Sequence, residues 1–567
     1  MMSLHRLSAG AGYNYLLRHT ACGDVQRAAS TPLTAYYTES GYPPGRWYGA
    51  GLAALANGRG LAIGSPVTEP QMAALFGQGH DPVTGNALGA AYPSFTPLAE
   101  RIARKVAALP TDLSAREREH TRAAITKREE NRTTPSAVAG FDLTFTIPKS
   151  ASVLWALADP KTQATIAQAH RTAVDEVLTF LEDRALFTRT GVAGCAQVPT
   201  KGMTATAFDH WDTRTGDPNL HTHVVIANKV QGEDGKWRSL DSRALHHAAV
   251  AISELYDDLV ADHVALALPV SWGSRSRGER RSPAFEIEGI DDTLLAEFST
   301  RSAQVDAAMR DRLVDFHATH GRSPSRVEMV RLRKQETRAT RPAKSPHPLS
   351  ELLVRWRNQA QRLTGQAPEL IATTALTTQG RPLRLDQVST ETIKRLAERT
   401  LTQVMERRST WTPWNVLTEA ARTTRGLRMA SSTDRFALVD HITTAVLGAS
   451  VPLDPPELFT VPTEDRRPDG TSVFTRPGED RFSHPRLLDA EQRLLEANLT
   501  TDAPSVPEHI AERIATTPQS STRTGQPVKL ADDQVAAVIT IATSGRQLDV
   551  LVGPAGTGKT TTLRALR

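Results

Sequence analysis

The sequence predicts an α+β fold, an antiparallel sheet with helices, followed by a mostly helical region and one phosphate-loop strand–helix. Three observations carry this. Phe141-Asp-Leu-Thr-Phe-Thr-Ile147 alternates strictly between apolar and polar residues, the mark of a half-buried strand. Thr213 to Pro218 has the Gly/Asp/Pro chemistry of a tight connection, with strand-like runs on both sides. Up to about residue 270, strand-like and helix-like runs mix without repeats, unlike a βαβ series.

Taken in order, Pro148-Lys149-Ser150 opens a helix through Trp155, and a longer helix runs from Gln163 to about Leu186. Met203 to Phe208 is the partner strand of a hairpin whose second strand carries His221 and His223. Gln231-Gly-Glu-Asp-Gly235 is a turn, and Lys236 to Leu240 a further short strand. Ser302 to Arg407 reads as helical and basic, and Ser409 to Leu447 as a small helical unit. Val451 to Pro485, rich in Pro and charge, is a linker or a strand pair. Leu487 to Leu499 is an amphipathic helix, Thr516 to Lys529 a polar loop, Asp532 to Thr543 a helix, and Leu548 to Val552 an apolar strand.

A length of 567 residues suggests about three to five domains, and 39% hydrophobic residues is ordinary for a soluble globular chain. No apolar run approaches the length of a membrane span, and Met1 to Gly12 lacks the hydrophobic core of a signal peptide. The two cysteines, Cys22 and Cys195, form neither a disulfide framework nor a cysteine zinc site. These features predict a cytoplasmic protein without membrane insertion. The net charge is only +5, but Arg275, Arg277, Arg280 and Arg281 cluster in a Gly/Ser-rich loop. A second stripe runs from Arg322 through Arg326, Arg331, Arg333, Lys334, Arg338 and Arg341 to Lys344. Both suit a phosphate backbone. For the second, a solvated helix face with Glu328 and Glu336 as partners is the alternative.

His221 and His223 are two apart, so on a strand they point the same way. Folding the hairpin brings His210 beside them. Three imidazoles converging from rigid strands make a divalent-metal site with open positions; the alternative is a solvated strand with a coincidental third histidine. Three imidazoles suit Zn²⁺, Mn²⁺ or Ni²⁺, whereas phosphoryl chemistry suits Mg²⁺ or Mn²⁺.

Gly553-Pro-Ala-Gly556-Thr-Gly558-Lys559-Thr560 is a full Walker A sequence after a strand and opening a helix, with Leu530-Ala-Asp-Asp-Gln534 upstream. Its backbone would cradle phosphates, Lys559 would reach the β/γ oxygens and Thr560 would hold Mg²⁺. No Walker B residue follows before Arg567, so ATP turnover is not expected from this chain; ATP would serve only a complete helicase part.

Six of the eight tyrosines fall in the first fifty residues, among them Tyr13, Tyr15, Tyr36 and Tyr37. Each could be a packing aromatic. Near a histidine-bound metal, a tyrosine hydroxyl could instead attack a phosphodiester and form a phosphotyrosine.

The chain resembles conjugative relaxases of the TrwC/TraI type, the MobF group of the HUH endonucleases. The matching pieces are Ser8-Ala-Gly-Ala-Gly-Tyr13-Asn-Tyr15, Gly45-Arg-Trp47 with Gly49-Ala-Gly51, Gly140-Phe-Asp142 through Pro-Lys-Ser150, and Asp217-Pro-Asn-Leu-His-Thr-His223, in the family's order. The resemblance covers about residues 1–320, and the Walker A region is similar to the start of a RecA-like helicase. It implies that His210, His221 and His223 bind the metal, and that Asp142 orients a histidine or takes the nucleophile's proton. Tyr13 or Tyr15 would make the first nick, and Tyr36 or Tyr37 would serve a second transesterification. The first cluster is Tyr-Asn-Tyr where many relatives have adjacent tyrosines, so both its members remain candidates. Lys149, Arg275, Arg277, Arg280 and Arg281 would contact DNA.

The expected organisation is a relaxase domain over 1–320, a basic helical connection over 321–450, a linker over 451–485 and a helicase start over 486–567. The expected activity is metal-dependent nicking of single-stranded plasmid DNA at an origin of transfer, with a coupling protein and accessory proteins as partners by resemblance. Mg²⁺ or Mn²⁺ leads as cofactor, with Zn²⁺ or Ni²⁺ behind. A rolling-circle replication initiator is the first rival, but there the tyrosine usually follows the histidines. A non-catalytic DNA-binding remnant is the second.

Overall fold

The computed structural model describes residues 1–13, 43–110, 112–130, 132, 136–277, 283–342, 347–376, 381–457, 459–520, 527–554 and 557–566. Its centre is a five-stranded antiparallel sheet of β1 (Met2–Ser8), β2 (Arg46–Tyr48), β3 (Val138–Thr146), β4 (Ala205–Asp212) and β5 (Pro218–Ala227). The strands lie in the order β1-β3-β5-β4-β2. The sequence-predicted strand at 141–147 is β3, and the predicted hairpin is β4–β5. His210 sits inside β4 rather than just past its end, because the strand runs on to Asp212.

Register decides which side chains share a face, since directly paired residues point the same way. Thr146 pairs with His221, Thr144 with His223, and His210 with His221. One face of the sheet therefore carries Asp142, Thr144, Thr146 and all three histidines. The opposite face carries Phe141, Leu143 and Phe145 from β3 and Thr222, Val224 and Ile226 from β5, all buried. The apolar half of the predicted alternation is thus the core side, as expected. The polar half is also protected: Asp142 is buried, so β3 is covered on both sides along much of its length.

After β3 come α1 (Lys149–Leu157) and α2 (Pro160–Ala185); α3 (Ser242–Ala267) follows β5. Asp159 caps α2 by accepting from Lys161 N and Thr162 N, with Pro160 in the first turn, where its missing N–H costs nothing. α2 and α3 pack together, and Tyr256 on α3 lies edge-on to Phe145 with ring centroids 5.0 Å apart. These two long helices form the layer behind the histidines.

Further along are α4 (Thr300–His320), α5 (Arg326–Ala339), α6 (Leu349–Thr364), α7 (Thr390–Arg407), α8 (Pro413–Thr424) and α9 (Ser432–Gly448). α4 and α5 form a hairpin with its own small core of Val305, Met309 and Leu332. Beyond it, the main hydrophobic core does not stop near residue 320. It runs continuously from Met2 to Val446, through Trp356 on α6 and Ile442 on α9. A buried ionic cluster joins α3 to α8 and α9. Arg435 Nε lies 2.7 Å from Asp262 Oδ2, Arg425 Nε 3.0 Å from Asp258 Oδ1, and Arg422 Nη2 2.6 Å from Glu254 Oε1.

The stretch read as linker or strand pair does contain a short pair, Val451–Pro452 with Phe482–Ser483, and it is docked. Gln197 N donates to Val473 O at 2.8 Å, and Arg467 Nη2 donates to Gln197 O at 2.8 Å. Past it, α10 (Pro485–Leu499), α11 (Glu508–Thr516), α12 (Asp532–Thr543) and α13 (Lys559–Ala565) complete the chain. Ala515, Leu530, Val538 and Ala565 make a separate small core there. The strand expected at Leu548–Val552 does not form: it pairs with no strand among the described residues, and Val550 and Val552 are exposed. An apolar run becomes a strand only where neighbours complete its ladder of hydrogen bonds. Among the described residues, no helix is long and apolar enough to cross a membrane.

Candidate metal centre

The three predicted histidines meet. Their ring centroids form a nearly equilateral triangle with sides of 5.0, 5.2 and 5.3 Å. One ligand nitrogen from each lies within 4.8 Å of the others. His210 is buried, while His221 and His223 are half-buried.

Two of the rings have their Nδ1 atoms engaged. His223 Nδ1 donates to Asp142, whose two carboxylate oxygens are each 3.0 Å away. His221 Nδ1 donates to the backbone carbonyl of Asn219 at 2.7 Å. A neutral imidazole whose Nδ1 carries the proton keeps its Nε2 lone pair for a ligand, and a carboxylate or carbonyl behind the ring is the usual orienting group of a metal-bound histidine. Thr144 Oγ1 adds to this by donating to Asp142 at 3.5 Å.

The donor set fits a divalent ion. His210 Nδ1 stands 3.3 Å from His221 Nε2. Two metal–nitrogen bonds of about 2.1 Å at angles between octahedral and tetrahedral separate their nitrogens by roughly 3.0–3.4 Å. Three imidazoles with no thiolate accept Zn²⁺, Mn²⁺ or Ni²⁺ readily, and leave positions for oxygen ligands.

The hairpin turn below the histidines is held from outside the sheet. Gly216 takes φ +78°, and its carbonyl accepts from Trp356 Nε1 at 2.8 Å and from Arg355 Nη2 at 2.5 Å. Thr300 Oγ1 donates to Asp217 Oδ1 at 2.9 Å. Lys149 Nζ donates to Pro218 O at 2.7 Å, and burial pushes this lysine down to about 8 against the opposing pull of Asp217 and Glu286. The lysine expected to touch DNA is thus committed to the first carbonyl of β5. Sequence reasoning missed this clamp; the indole and guanidinium lie some 140 residues from the turn they hold, and nothing local to either marks the pairing.

The other candidates divide. Asp142 joins the histidines. Tyr13 lies on a short turn after β1, its ring against Gly77. Tyr15, Tyr36 and Tyr37 lie outside the described residues, as do Arg280, Arg281 and Gly556. Arg275 is not in a loop: it ends a strand, Trp272–Arg275, that pairs with Ala284–Ile287. Its guanidinium pairs with Asp292 at 2.9 Å and donates to Ile290 O, because the strand register brings it over the start of the next helix. Arg277 is exposed. In the second basic stripe, Arg322 pairs with Glu328 and Arg333 with Asp306, as a solvated helix face would, while Glu336 pairs with Arg312 on α4, outside the stripe. At the phosphate loop, Gly558 takes φ +77°, Gln534 Nε2 donates to Thr557 O at 2.7 Å, and Lys559 Nζ is folded onto the carbonyls of Gly553 and Pro554. Thr560 is exposed in the first turn of α13.

An antiparallel sheet carrying three histidines and an orienting aspartate on one face defines a divalent-metal type of site. The model of the TrwC relaxase family matches residues 9–363, and the chain belongs to that family. The match runs past residue 320 and takes in α6 up to its last residue but one, Leu363, so it includes Arg355 and Trp356, which clamp the Gly216 turn. An AAA domain model matches residues 529–567, so the relaxase domain is followed by a short AAA-like segment. Among curated proteins, the multifunctional conjugation protein TraI of Escherichia coli is 30% identical over 186 residues, 30% of this chain and 10% of that protein. The TraI of Escherichia coli strain K12 is 38% identical over 104 residues, 18% of this chain and 6% of that protein. The chain thus spans about a tenth or less of these relatives. Among solved structures, a copper-bound conjugative relaxase TrwC in complex with oriT DNA is 22% identical, with a TM-score of 0.42, over 64% of this chain and 98% of that one. TrwC with a 27-mer DNA comprising the recognition hairpin and cleavage site gives 21% and 0.41, over 64% and 98%.

Proposed function

We propose that this chain is a conjugative relaxase that nicks one strand of plasmid DNA at an origin of transfer by tyrosine transesterification. The observation that carries the reading is the histidine triangle with two Nδ1 atoms held from behind, in a chain of the TrwC relaxase family. His210, His221 and His223 would hold a divalent ion, Mg²⁺ or Mn²⁺ ahead of Zn²⁺ or Ni²⁺, and such an ion polarises a phosphate oxygen and stabilises charge on the transferring group.

The chain's own groups supply the rest. A phenolic oxygen of Tyr13 or Tyr15 attacks the scissile phosphorus and gives up its proton; the bond to the 3′ oxygen breaks, and that oxygen leaves as a 3′ hydroxyl. The 5′ phosphate remains on the tyrosine. Asp142 accepts the Nδ1–H of His223 and so turns the Nε2 lone pair of that ring towards the site. Tyr36 or Tyr37 would serve a second transfer of the same kind. One ester replaces another, so the strand is resealed without ATP. Arg277, which is exposed, and Arg280 and Arg281 are the cations proposed for the DNA backbone. The partners are single-stranded DNA at the origin and the coupling and accessory proteins of conjugation. For residues 529–567 the finer reading is the opening of a RecA-like nucleotide unit, with Gly553, Gly556, Gly558, Lys559 and Thr560 as its phosphate loop, supported by the AAA domain match and the left-handed Gly558.

The test is a denaturing gel with a labelled cognate oligonucleotide and Mn²⁺. Wild type is expected to form a covalent band, and the double variant Tyr13→Phe/Tyr15→Phe none. A band that survives the double variant overturns the nucleophile assignment. A cognate supercoiled plasmid left closed by wild type overturns the nicking itself and leaves a DNA-binding module.

A further inference from the structure

Thr222 stands between His221 and His223 in sequence but points to the other face of the sheet, where it is fully buried. A hydroxyl at a core position must find partners, and this one has two. Thr222 Oγ1 donates to Asp209 Oδ1 at 2.6 Å across the β4–β5 ladder, where Asp209 and Thr222 are direct partners. It stands 2.8 Å from His170 Nε2 on α2. His170 Nδ1 lies 2.8 Å from the hydroxyl of Tyr256 on α3, and Asp209 Oδ2 lies 2.6 Å from Arg46 Nη1 on β2.

Donor and acceptor roles follow along the whole line. Asp209, paired with Arg46, can only accept, so the Thr222 proton points at it. Thr222 must then accept from His170, which places the imidazole proton on Nε2 and leaves the Nδ1 lone pair for the Tyr256 hydroxyl. Burial supports this tautomer. It pushes His170 down to about 4, so the ring is neutral, and pushes the Tyr256 phenol well above its usual range, so the hydroxyl keeps its proton.

We propose that Tyr256–His170–Thr222–Asp209–Arg46 is a positioning network that presents the metal histidines from behind the sheet. A one-residue slip of β5 would turn His221 and His223 to the core and Thr222 to the metal. The Thr222–Asp209 bond pins the pairing at the residue between the two ligands, and His170 fixes the strand's rotation from α2. Asp209 also adjoins His210, so one buried bond sits next to all three ligands. Arg46 on β2 and Tyr256 on α3 anchor the ends in two further elements. None of these side chains belongs to the metal triangle; they act through Thr222 and Asp209.

The inference rests on the proposed metal site and is tested on the full chain by titrating Mn²⁺ and following free Mn²⁺ by electron paramagnetic resonance, with thermal unfolding recorded in parallel. Thr222→Val keeps the shape and removes the hydroxyl, and should weaken Mn²⁺ binding about tenfold, the low end for loss of a supporting partner. Thr222→Ser keeps the hydroxyl and should stay within about threefold of wild type. Tyr256→Phe, which removes only the far donor, should give an intermediate loss and serves if Thr222→Val fails to fold. If Thr222→Val or Tyr256→Phe lowers the melting temperature while Mn²⁺ affinity stays that of wild type, the residues are mere packing and the inference falls. If wild type itself takes up no Mn²⁺, the metal site falls first.

Discussion

Asp142 on β3 faces His223 on β5 with both carboxylate oxygens 3.0 Å from Nδ1, although the two residues are 81 apart in sequence. This contact fixes which ring nitrogen of His223 is left for a ligand. Asp142→Asn keeps an oxygen to accept the proton but loses the charge that makes the ring a better donor. Mn²⁺ affinity should fall by about 10–100-fold with the fold retained. Isothermal titration measures it, and an unchanged affinity would remove Asp142 from the metal's support.

The clamp on the Gly216 carbonyl makes residues beyond 320 part of the metal hairpin. Trp356→Phe removes the indole donor while Arg355 still reaches the carbonyl, and should cost about 1 kcal/mol in urea unfolding. A chain ending at 320 loses α6 with the clamp, and should bind Mn²⁺ more weakly than one ending at 363. Equal affinities for the two lengths would contradict the clamp.

The cluster of Arg435 with Asp262 and Asp258 is buried, so removing the arginine leaves Asp262 only Arg428 and Asp258 only Arg425 as counter-ions. Arg435→Met should destabilise by about 3–5 kcal/mol, and adding Asp262→Leu should recover part of that loss. Guanidinium unfolding of the single and double variants measures both. Additive losses would mean that the two residues do not act as a pair.

His170 links stability to pH. Burial lowers it to about 4, helped by the N-terminal ammonium, Arg46 and Arg171 and opposed by Asp209. An exposed imidazole titrates near 6.5, so between roughly pH 4 and 6.5 the unfolded chain binds the extra proton. The contribution is therefore complete above pH 6.5 and is lost as pH falls towards 4, by about 3 kcal/mol over the window. Urea unfolding at pH 7.0 and 4.5 should show this loss in wild type and a smaller one in His170→Gln. Parallel slopes would place the pH dependence elsewhere.

Much of the site was legible in the chain. Strict alternation at 141–147 and the spacing of His221 and His223 are local patterns with a period of two, and a strand converts such a pattern directly into a face. The same holds for the turn at 213–218, whose Gly216 does take the left-handed conformation. Lys149 and Arg275 were legible only as charges. What each charge meets is set by segments brought in from elsewhere: Pro218 for the lysine, Asp292 for the arginine. Val550 and Val552 show the reverse case, where an apolar run reads as a strand but has no ladder to join.

By itself, then, the sequence determined the three histidines as one set, Asp142 on the polar side of its strand, and the antiparallel sheet that carries them. Tertiary structure decided how those histidines are held. Thr222 is an ordinary strand threonine until His170 from α2 and Asp209 from β4 close on it, and Gly216 an ordinary turn glycine until Trp356 reaches it. The physical reason is range. Strand periodicity acts over two residues, whereas buried hydrogen bonds are satisfied by whichever distant groups the packed core brings within 3 Å.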